Sequence, residues 1–230
     1  MVYIIIYSAN LIPFLKKREK PEPAPEEPKG GEPPCGECES ELKACKRREL
    51  IYRKIVERYR ELIEASESKS IPELRSLVKP QSSSILEVRG KITREFSQYS
   101  YENDFIAAAQ KAYEFVKDEI GTEHVPVEFW LSPKDIVELK TADEMDKAIF
   151  LCSLLIALGN KGAKVVVEMK GGLKHAFVMF SFGNRYYLFD PVHNVNLAGS
   201  KEILEAQIST EKDEENNIVY EFNDVEYNEW

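Results

Sequence analysis

The chain has 230 residues, which is enough for one well-buried domain with appendages. Its content of 43% hydrophobic and 31% charged residues is typical of a soluble globular protein. Glu and Lys are abundant and glutamine is scarce, a composition that favours a thermophilic source. The formal net charge of -9 argues against general nucleic-acid binding, because contacts with phosphates require a basic surface.

The first fifteen residues, 1–15, form an apolar segment that contains the run VYIIIYSANLIPFL. A membrane-spanning helix needs about 20 apolar residues, so this run is short for a span. It fits a strand or helix packed on a partner or on the domain, a membrane anchor, or a disordered tail. The basic sequence KKREK follows it, so an anchor at residues 2–15 would leave the rest of the protein cytoplasmic under the positive-inside rule.

Residues 16–34 predict an extended linker, because they hold six of the twelve prolines and no large apolar residue. A helical region with cysteines follows at residues 35–80. Within it, residues 40–66 predict one long amphipathic helix whose apolar positions lie close to a coiled-coil heptad stripe. Those positions are Cys45, Tyr52, Ile55, Val56, Tyr59, Leu62 and Ile63.

The exposed side of this predicted helix is basic, with eight Lys or Arg against two Glu in residues 43–60. It is either a solvated face of a helix packed on the domain or a docking surface. The docking partner would be an acidic protein, an anionic membrane or the acidic C-terminal segment at residues 211–230. The same helix is a candidate for homo-oligomer formation.

Three of the four cysteines, Cys35, Cys38 and Cys45, lie within eleven residues. This distribution does not match the disulfide framework of a small secreted domain. The Cys-x-x-Cys spacing is half of a common zinc site, and Cys45 adds a third ligand candidate. Zinc binding, a disulfide and reduced thiols therefore all stay open, and no other cofactor is expected.

The remainder, residues 81–230, predicts an α+β domain. Residues 103–121 predict a helix, whereas residues 82–100 have no clean period. Residues 143–158 are apolar on almost every side and predict a buried helix. The stretches AKVVVEM, HAFVMFSF, RYYLFDP and NIVYEF predict strands, so a central helix should pack on an antiparallel sheet.

A Gly183-Asn184 turn between two of these strands predicts a two-residue hairpin that pairs Phe182 with Arg185. In that register His175 and Asp190 are diagonal neighbours on one face, with Cβ atoms about 7 Å apart. A carboxylate at that separation can orient an imidazole, as it does in catalytic triads. The alternative is that both residues are purely structural.

From about residue 103 to 200 the sequence resembles the transglutaminase-like superfamily, which has a papain-like fold, and especially its microbial and archaeal members. The resemblance rests on AAAQKAYEFVKDEI, LSPKDIVELKTADEMDKAIFLCSLLIALG and GLKHAFVMFSFGNRYYLFDPVH. The family's helix usually begins Gly-Asp-Cys-x-Asp and continues as KAxxLxSLLxALG, and later motifs are similar to HAWV and LDP. The resemblance implies that His175 and Asp190 occupy the second and third catalytic positions.

The family's nucleophile position falls on Glu144, because Gly-Asp-Cys-x-Asp aligns without a gap to residues 142–146, ADEMD. Cys152 lies eight residues further along the helix, about 12 Å along its axis, and is expected in the core. Glu144 has two plausible uses beside His175 and Asp190. It can form a hydrogen bond or ion pair that holds an inert site, or it can join them in a metal cluster.

These features favour a transglutaminase-like domain that has lost catalysis and binds a peptide or protein, with Trp130 as a candidate wall of the groove. One alternative is a hydrolase or metal-dependent enzyme with altered chemistry at Glu144, His175 and Asp190. Another is a scaffold tethered to a membrane or an assembly through its N-terminal segment and basic helix.

Overall fold

A computed structural model describes residues 36–67, 69–123, 129–170, 173–208 and 218–229. The predictions for residues 1–15 and 16–34 therefore concern segments outside the described residues. The chain divides into two compact units, residues 1–51 and 52–230. In the part of the chain that is described, no helix is both long and apolar enough to cross a membrane.

The predicted amphipathic helix is present as α1, Gly36–Glu67, which covers 32 residues. Of the first unit, the structure describes only residues 36–51, which form the N-terminal part of α1. Most of its apolar side chains are exposed to solvent, including Tyr52, Ile55, Tyr59 and Leu62. The helix is therefore confirmed, and what its apolar face contacts stays open.

Four further helices precede the central one in the second unit. They are α2 (Ile71–Leu74), α3 (Ser83–Thr93), α4 (Tyr101–Glu114) and α5 (Pro133–Leu139). Helix α3 lies in the stretch of sequence that has no clean period of apolar residues. The Ser82 side chain caps the start of this helix by accepting a hydrogen bond from the Ile85 amide. The helix predicted at residues 103–121 is confirmed as α4, which a π-helical turn, Phe115–Glu119, extends.

The central helix α6, Glu144–Ala157, is capped by Asp143, whose side chain accepts from the Asp146 amide at 2.8 Å. Ten of its fourteen residues are buried. The helix contacts α3 and α4 and the strands β3 (Lys164–Lys170) and β4 (Leu173–Phe182). Its surroundings are apolar on almost every side, which explains why its own sequence lacks a polar face.

The larger sheet is antiparallel and six-stranded, in the order β6-β5-β4-β3-β7-β8. Beyond β3 and β4, its strands are β5 (Arg185–Asp190), β6 (Val195–Gly199), β7 (Ile218–Phe222) and β8 (Tyr227–Glu229), and helix α7 (Lys201–Ile208) follows β6. Two short strands, β1 (Gly121–Thr122) and β2 (Thr141–Ala142), pair separately. The α+β architecture with a buried helix on an antiparallel sheet is confirmed.

The hairpin register is also confirmed, since Phe182 pairs with Arg185 and Gly183 has the positive φ of 59° that the turn requires. The ladder between β4 and β5 runs as far as the pair Val178 and Phe189. Residues 191–194 then turn the chain from β5 into β6, where Asp190 pairs with Val195.

Candidate functional site

The structure brings Glu144, His175 and Asp190 together from three elements. Glu144 is the first residue of α6, His175 lies near the start of β4, and Asp190 ends β5. His175 Nε2 is 2.9 Å from Asp190 Oδ2 and 3.8 Å from Glu144 Oε1. The His–Asp proximity follows from the hairpin register, and the start of α6 supplies the third group.

Asp190 is the buried centre of this cluster, with a side chain only 1% exposed. Its Oδ1 accepts hydrogen bonds from the amides of Val192 and His193, both at 2.9 Å. Its Oδ2 lies 2.9 Å from both His175 Nε2 and His193 Nδ1. Burial alone would raise the pKa of Asp190, but these hydrogen bonds and the two imidazoles hold it below its usual value.

The other nitrogen of His175 faces a second carboxylate. His175 is the cross-strand partner of Glu168 on β3, and its Nδ1 lies 3.4 Å from Glu168 Oε2. Burial lowers the pKa of His175, but hydrogen bonds to Asp190 and Glu168, with the nearby charge of Glu144, raise it to about 10. At neutral pH the ring is therefore an imidazolium held between carboxylates.

The Glu144 carboxylate is tied to β4 by a hydrogen bond, because Oε1 accepts from the Ala176 amide at 2.7 Å. The contact joins the first residue of α6 to the strand residue that follows His175. The Glu144 side chain is 28% exposed, so part of the carboxylate faces solvent. Glu144 thus links helix and strand while remaining accessible from outside.

Two members of the cluster, His193 and Glu168, are not among the residues predicted from the sequence. The spacing from Asp190 to His193 offered a signal, since an Asp side chain can accept from the backbone amides two and three residues later and turn the chain. Glu168 offered a weaker signal, because finding it required the register between β3 and β4 as well as that of the Gly183-Asn184 hairpin.

Cys152 is remote from this chemistry. It is fully buried in the middle of α6, and its Sγ lies 3.5 Å from the Ala163 carbonyl oxygen. Burial strongly raises the pKa of this thiol, which keeps it protonated and unreactive. The expectation that Cys152 is a core residue is met.

The cysteine cluster is only partly within the described residues. Cys45 is exposed on α1, whereas Cys35 and the side chain of Cys38 are outside the description. Zinc binding by Cys35, Cys38 and Cys45 stays a prediction.

Trp130 is half-buried, and its Nε1 donates to the Glu67 carbonyl oxygen at 2.9 Å. The next amide, that of Leu131, donates to Asp146 at 3.2 Å, which places this stretch beside the first turn of α6. Burial, together with the charge of Asp143, raises the pKa of Asp146 to about 8. Trp130 as a groove wall remains a prediction.

Two surface depressions, of about 440 and 280 Å³, are not lined by the cluster. The larger is lined by Lys69, Pro72, Glu73, Arg75, Ser76 and Asp224. The smaller lies between α3 and α4. The cluster itself sits at an open surface, with His175 39% and His193 52% exposed.

Three of these side chains have the chemistry of metal ligands. Glu144, His175 and His193 each offer one ligand atom, and these atoms all lie within 4.8 Å of one another. The residues that could hold a metal ion and those of the expected triad therefore overlap at Glu144 and His175.

No family model matches the chain, and no curated protein matches it. Three solved structures of Legionella pneumophila LapG are similar in fold. Calcium-bound LapG is 15% identical with a TM-score of 0.45, and a second LapG structure is 14% identical with 0.43; each comparison covers 69% of this chain and 87% of LapG. EGTA-treated LapG is 14% identical with 0.39, covering 56% and 74%. Likeness this distant does not identify an activity for this chain.

Proposed function

We propose that this chain is a catalytically inactive domain of the transglutaminase-like type that binds a segment of another protein. The observation that carries the proposal is the place of Glu144. It stands at the helix start beside His175 and Asp190, where a nucleophile would be, and its carboxylate bonds to the Ala176 amide instead. The helix, histidine and aspartate of such a site are kept, and the thiol is not.

A carboxylate does not replace a thiolate in acyl transfer, since the thiolate is the strong nucleophile that forms the covalent intermediate. The described thiol nearest in sequence, Cys152, is enclosed in the core with a raised pKa. His175 also has both ring nitrogens facing carboxylates, so no open nitrogen is directed at a substrate. These contacts support binding rather than turnover.

The chemistry of the cluster favours a basic segment as its ligand. Glu144, Glu168 and Asp190 supply three carboxylates around two imidazoles, those of His175 and His193. A Lys or Arg side chain would find complementary charge there, and Arg could bond a carboxylate through two nitrogens. The open surface suits an extended peptide better than an enclosed small molecule.

Loss of catalysis is tested by assaying incorporation of a fluorescent primary amine into protein, together with hydrolysis of peptide and amide substrates. We expect no turnover above the rate without protein. Turnover that disappears in Cys152→Ala would overturn the proposal in favour of a cysteine enzyme. Turnover that survives Cys152→Ala but disappears in Glu144→Gln would establish the altered-chemistry alternative.

Peptide binding is tested by selecting peptides from a displayed random library and measuring their affinities for variants. We expect enrichment of Lys and Arg, and affinity at least about tenfold weaker for Glu144→Lys, because the new cation repels a basic ligand. Glu102→Lys is the matched control, since Glu102 is an exposed acid in the first turn of α4. Peptides that bind both variants equally would contradict the assignment of this surface.

A second candidate function is self-association through α1. Seven large apolar side chains of this helix are 47–69% exposed, namely Leu42, Leu50, Ile51, Tyr52, Ile55, Tyr59 and Leu62. Residues 43–54 hold six Lys or Arg and one Glu, whereas residues 55–67 hold two Arg and four Glu. An antiparallel second copy would set the basic part of one helix against the acidic part of the other, so we propose a second copy as the partner.

Sedimentation analysis of the full chain tests this second function. A dimer or larger assembly should become monomeric in the double variant Ile55→Glu, Leu62→Glu, because charges replace the apolar seam. Leu139→Glu is the control, since Leu139 is equally exposed at the end of α5. A wild-type chain that stays monomeric at high concentration would exclude self-association.

A further inference from the structure

We infer that the cluster is also a binding site for a divalent transition-metal ion, held by Glu144, His175 and His193 with Asp190 completing the set. The inference goes beyond the proposed peptide binding, because it requires no partner protein. Two imidazoles and two carboxylates converge on one point of the surface, and this donor set is typical of first-row metals.

The distances between donor atoms suit one ion. His175 Nε2 is 3.8 Å from Glu144 Oε1, and Asp190 Oδ2 is 2.9 Å from His175 Nε2 and from His193 Nδ1. With metal–ligand bonds of about 2.0–2.2 Å, neighbouring donor atoms lie about 3–3.5 Å apart. The observed separations lie on both sides of that value, so small side-chain shifts bring the donors to coordinating distance.

The groups behind the donors also hold them in orientations that suit coordination. His175 Nδ1 lies 3.4 Å from Glu168 Oε2, and in this orientation its Nε2 faces Glu144 and Asp190. A carboxylate that accepts from the far nitrogen is the usual support of a metal-binding histidine. Asp190 is anchored through Oδ1 by two backbone amides, which leaves Oδ2 facing both imidazoles.

Access and charge favour entry of an ion. His193 is half-exposed and forms the outer side of the cluster, so an ion can approach from solvent. On binding, the metal would take the place of the hydrogen bonds between the two imidazoles and Asp190 Oδ2. The side chains of Glu144 and Asp190 then offset the charge of the ion.

The donor set selects the class of metal. Imidazole nitrogen suits zinc, iron, cobalt and nickel, whereas calcium and magnesium prefer oxygen ligands throughout. We therefore assign the site to Zn²⁺ or a related first-row ion, with Co²⁺ as a spectroscopic substitute. Calcium should not bind at this cluster with comparable affinity.

Calorimetric titration with Zn²⁺ tests the inference in a full-length variant carrying Cys35→Ser, Cys38→Ser and Cys45→Ser, which removes the competing thiols. We expect about one ion per chain, with affinity at least about tenfold weaker after His193→Gln or Glu144→Gln. Glu102→Gln is the control and should bind as the parent does. Co²⁺ absorption should show nitrogen and oxygen ligation without thiolate bands.

Absence of stoichiometric Zn²⁺ binding would overturn the inference, as would binding that His193→Gln leaves unchanged. Urea unfolding of each variant separates loss of the site from loss of the fold, and His193→Gln should remain folded because its side chain is half-exposed. Failure here leaves the peptide and turnover assays unaffected, so the two proposals fail independently.

Discussion

The first turn of α6 and the middle of the same helix place their functional groups in opposite environments. Glu144, in the first turn, is partly exposed and contacts a histidine and a strand amide. Cys152, two turns further on, is enclosed by apolar side chains and has a strongly raised pKa. Eight residues separate them, about 12 Å along the axis. Position within the helix therefore decides whether a side chain is accessible and contacts polar groups, whatever the residue type.

Positions 144 and 152 differ in their electrostatic environment, because one lies at the start of the helix and the other in its middle. The start of a helix presents free backbone amides and the positive end of its dipole, which favour an anion such as a carboxylate or a thiolate. The middle of a buried helix presents neither and excludes water. An anion is therefore stabilised at position 144 and penalised at position 152.

Moving a thiol to the first turn should give the largest effect. We expect the new thiol in Glu144→Cys to react with iodoacetamide at neutral pH at least about 1000-fold faster than Cys152. Alkylation of Cys152 requires the core to open, and opening of a stable core costs about 5 kcal/mol or more. Mass spectrometry of digested protein over a time course measures both rates in one sample.

The control for that comparison is Met145→Cys, one residue further along the helix and partly exposed. Its thiol should react more slowly than the one in Glu144→Cys, because it lacks the contact with His175. Equal rates at positions 144 and 145 would show that exposure alone governs reactivity, and the comparison of helix positions would lose its electrostatic part.

Removing the buried carboxylate beside the first turn should cost the most stability. We expect Asp190→Ala to lower the free energy of unfolding by about 3 kcal/mol, because the change leaves two imidazoles and two amides without their acceptor. Asp224→Ala, at an exposed position, should change it by about 0.5 kcal/mol or less. Urea unfolding measures both, and similar costs would mean that Asp190 is not the organising group of the cluster.

The pairing of His175 with Asp190 could be predicted because a two-residue hairpin fixes its register by geometry alone. Burial of Cys152 could be predicted because the helix around it is apolar on almost every side. Glu168 and His193 were not assigned, since one depends on the offset between β3 and β4 and the other on the conformation of the turn that connects β5 to β6. The Glu144–Ala176 bond depends on how α6 lies across β4, which local sequence does not encode.

A smaller effect should separate the charge of Glu144 from its hydrogen bond. We expect Glu144→Ala to lower the free energy of unfolding by about 1.5 kcal/mol, because the Ala176 amide loses its acceptor. Glu144→Gln retains a carbonyl oxygen for that amide and should cost about half as much. Equal costs in urea unfolding would show that the charge beside His175, rather than the bond to β4, stabilises the first turn.

Lys147 tests the boundary between the two environments, because it lies one turn into α6 and is only 1% exposed. Burial lowers the pKa of Lys147 below its ordinary value, although Asp118 opposes the change. We expect Lys147→Met to raise the free energy of unfolding by about 1 kcal/mol at neutral pH, since a buried cation is replaced by an apolar chain of similar length.

The difference in free energy of unfolding between Lys147→Met and the wild type should depend on pH. The unfolded wild-type chain holds the Lys147 proton more tightly than the folded chain, so this residue makes wild-type stability rise as the pH rises through its lowered pKa toward the ordinary lysine value. The methionine variant lacks that contribution, so its advantage should shrink as the pH rises over that range. Urea unfolding at several pH values measures the difference. A methionine variant less stable than wild type at neutral pH would show that the Lys147 charge is paired. The polar environment at the start of α6 would then extend one turn further into the helix than the burial of Lys147 indicates.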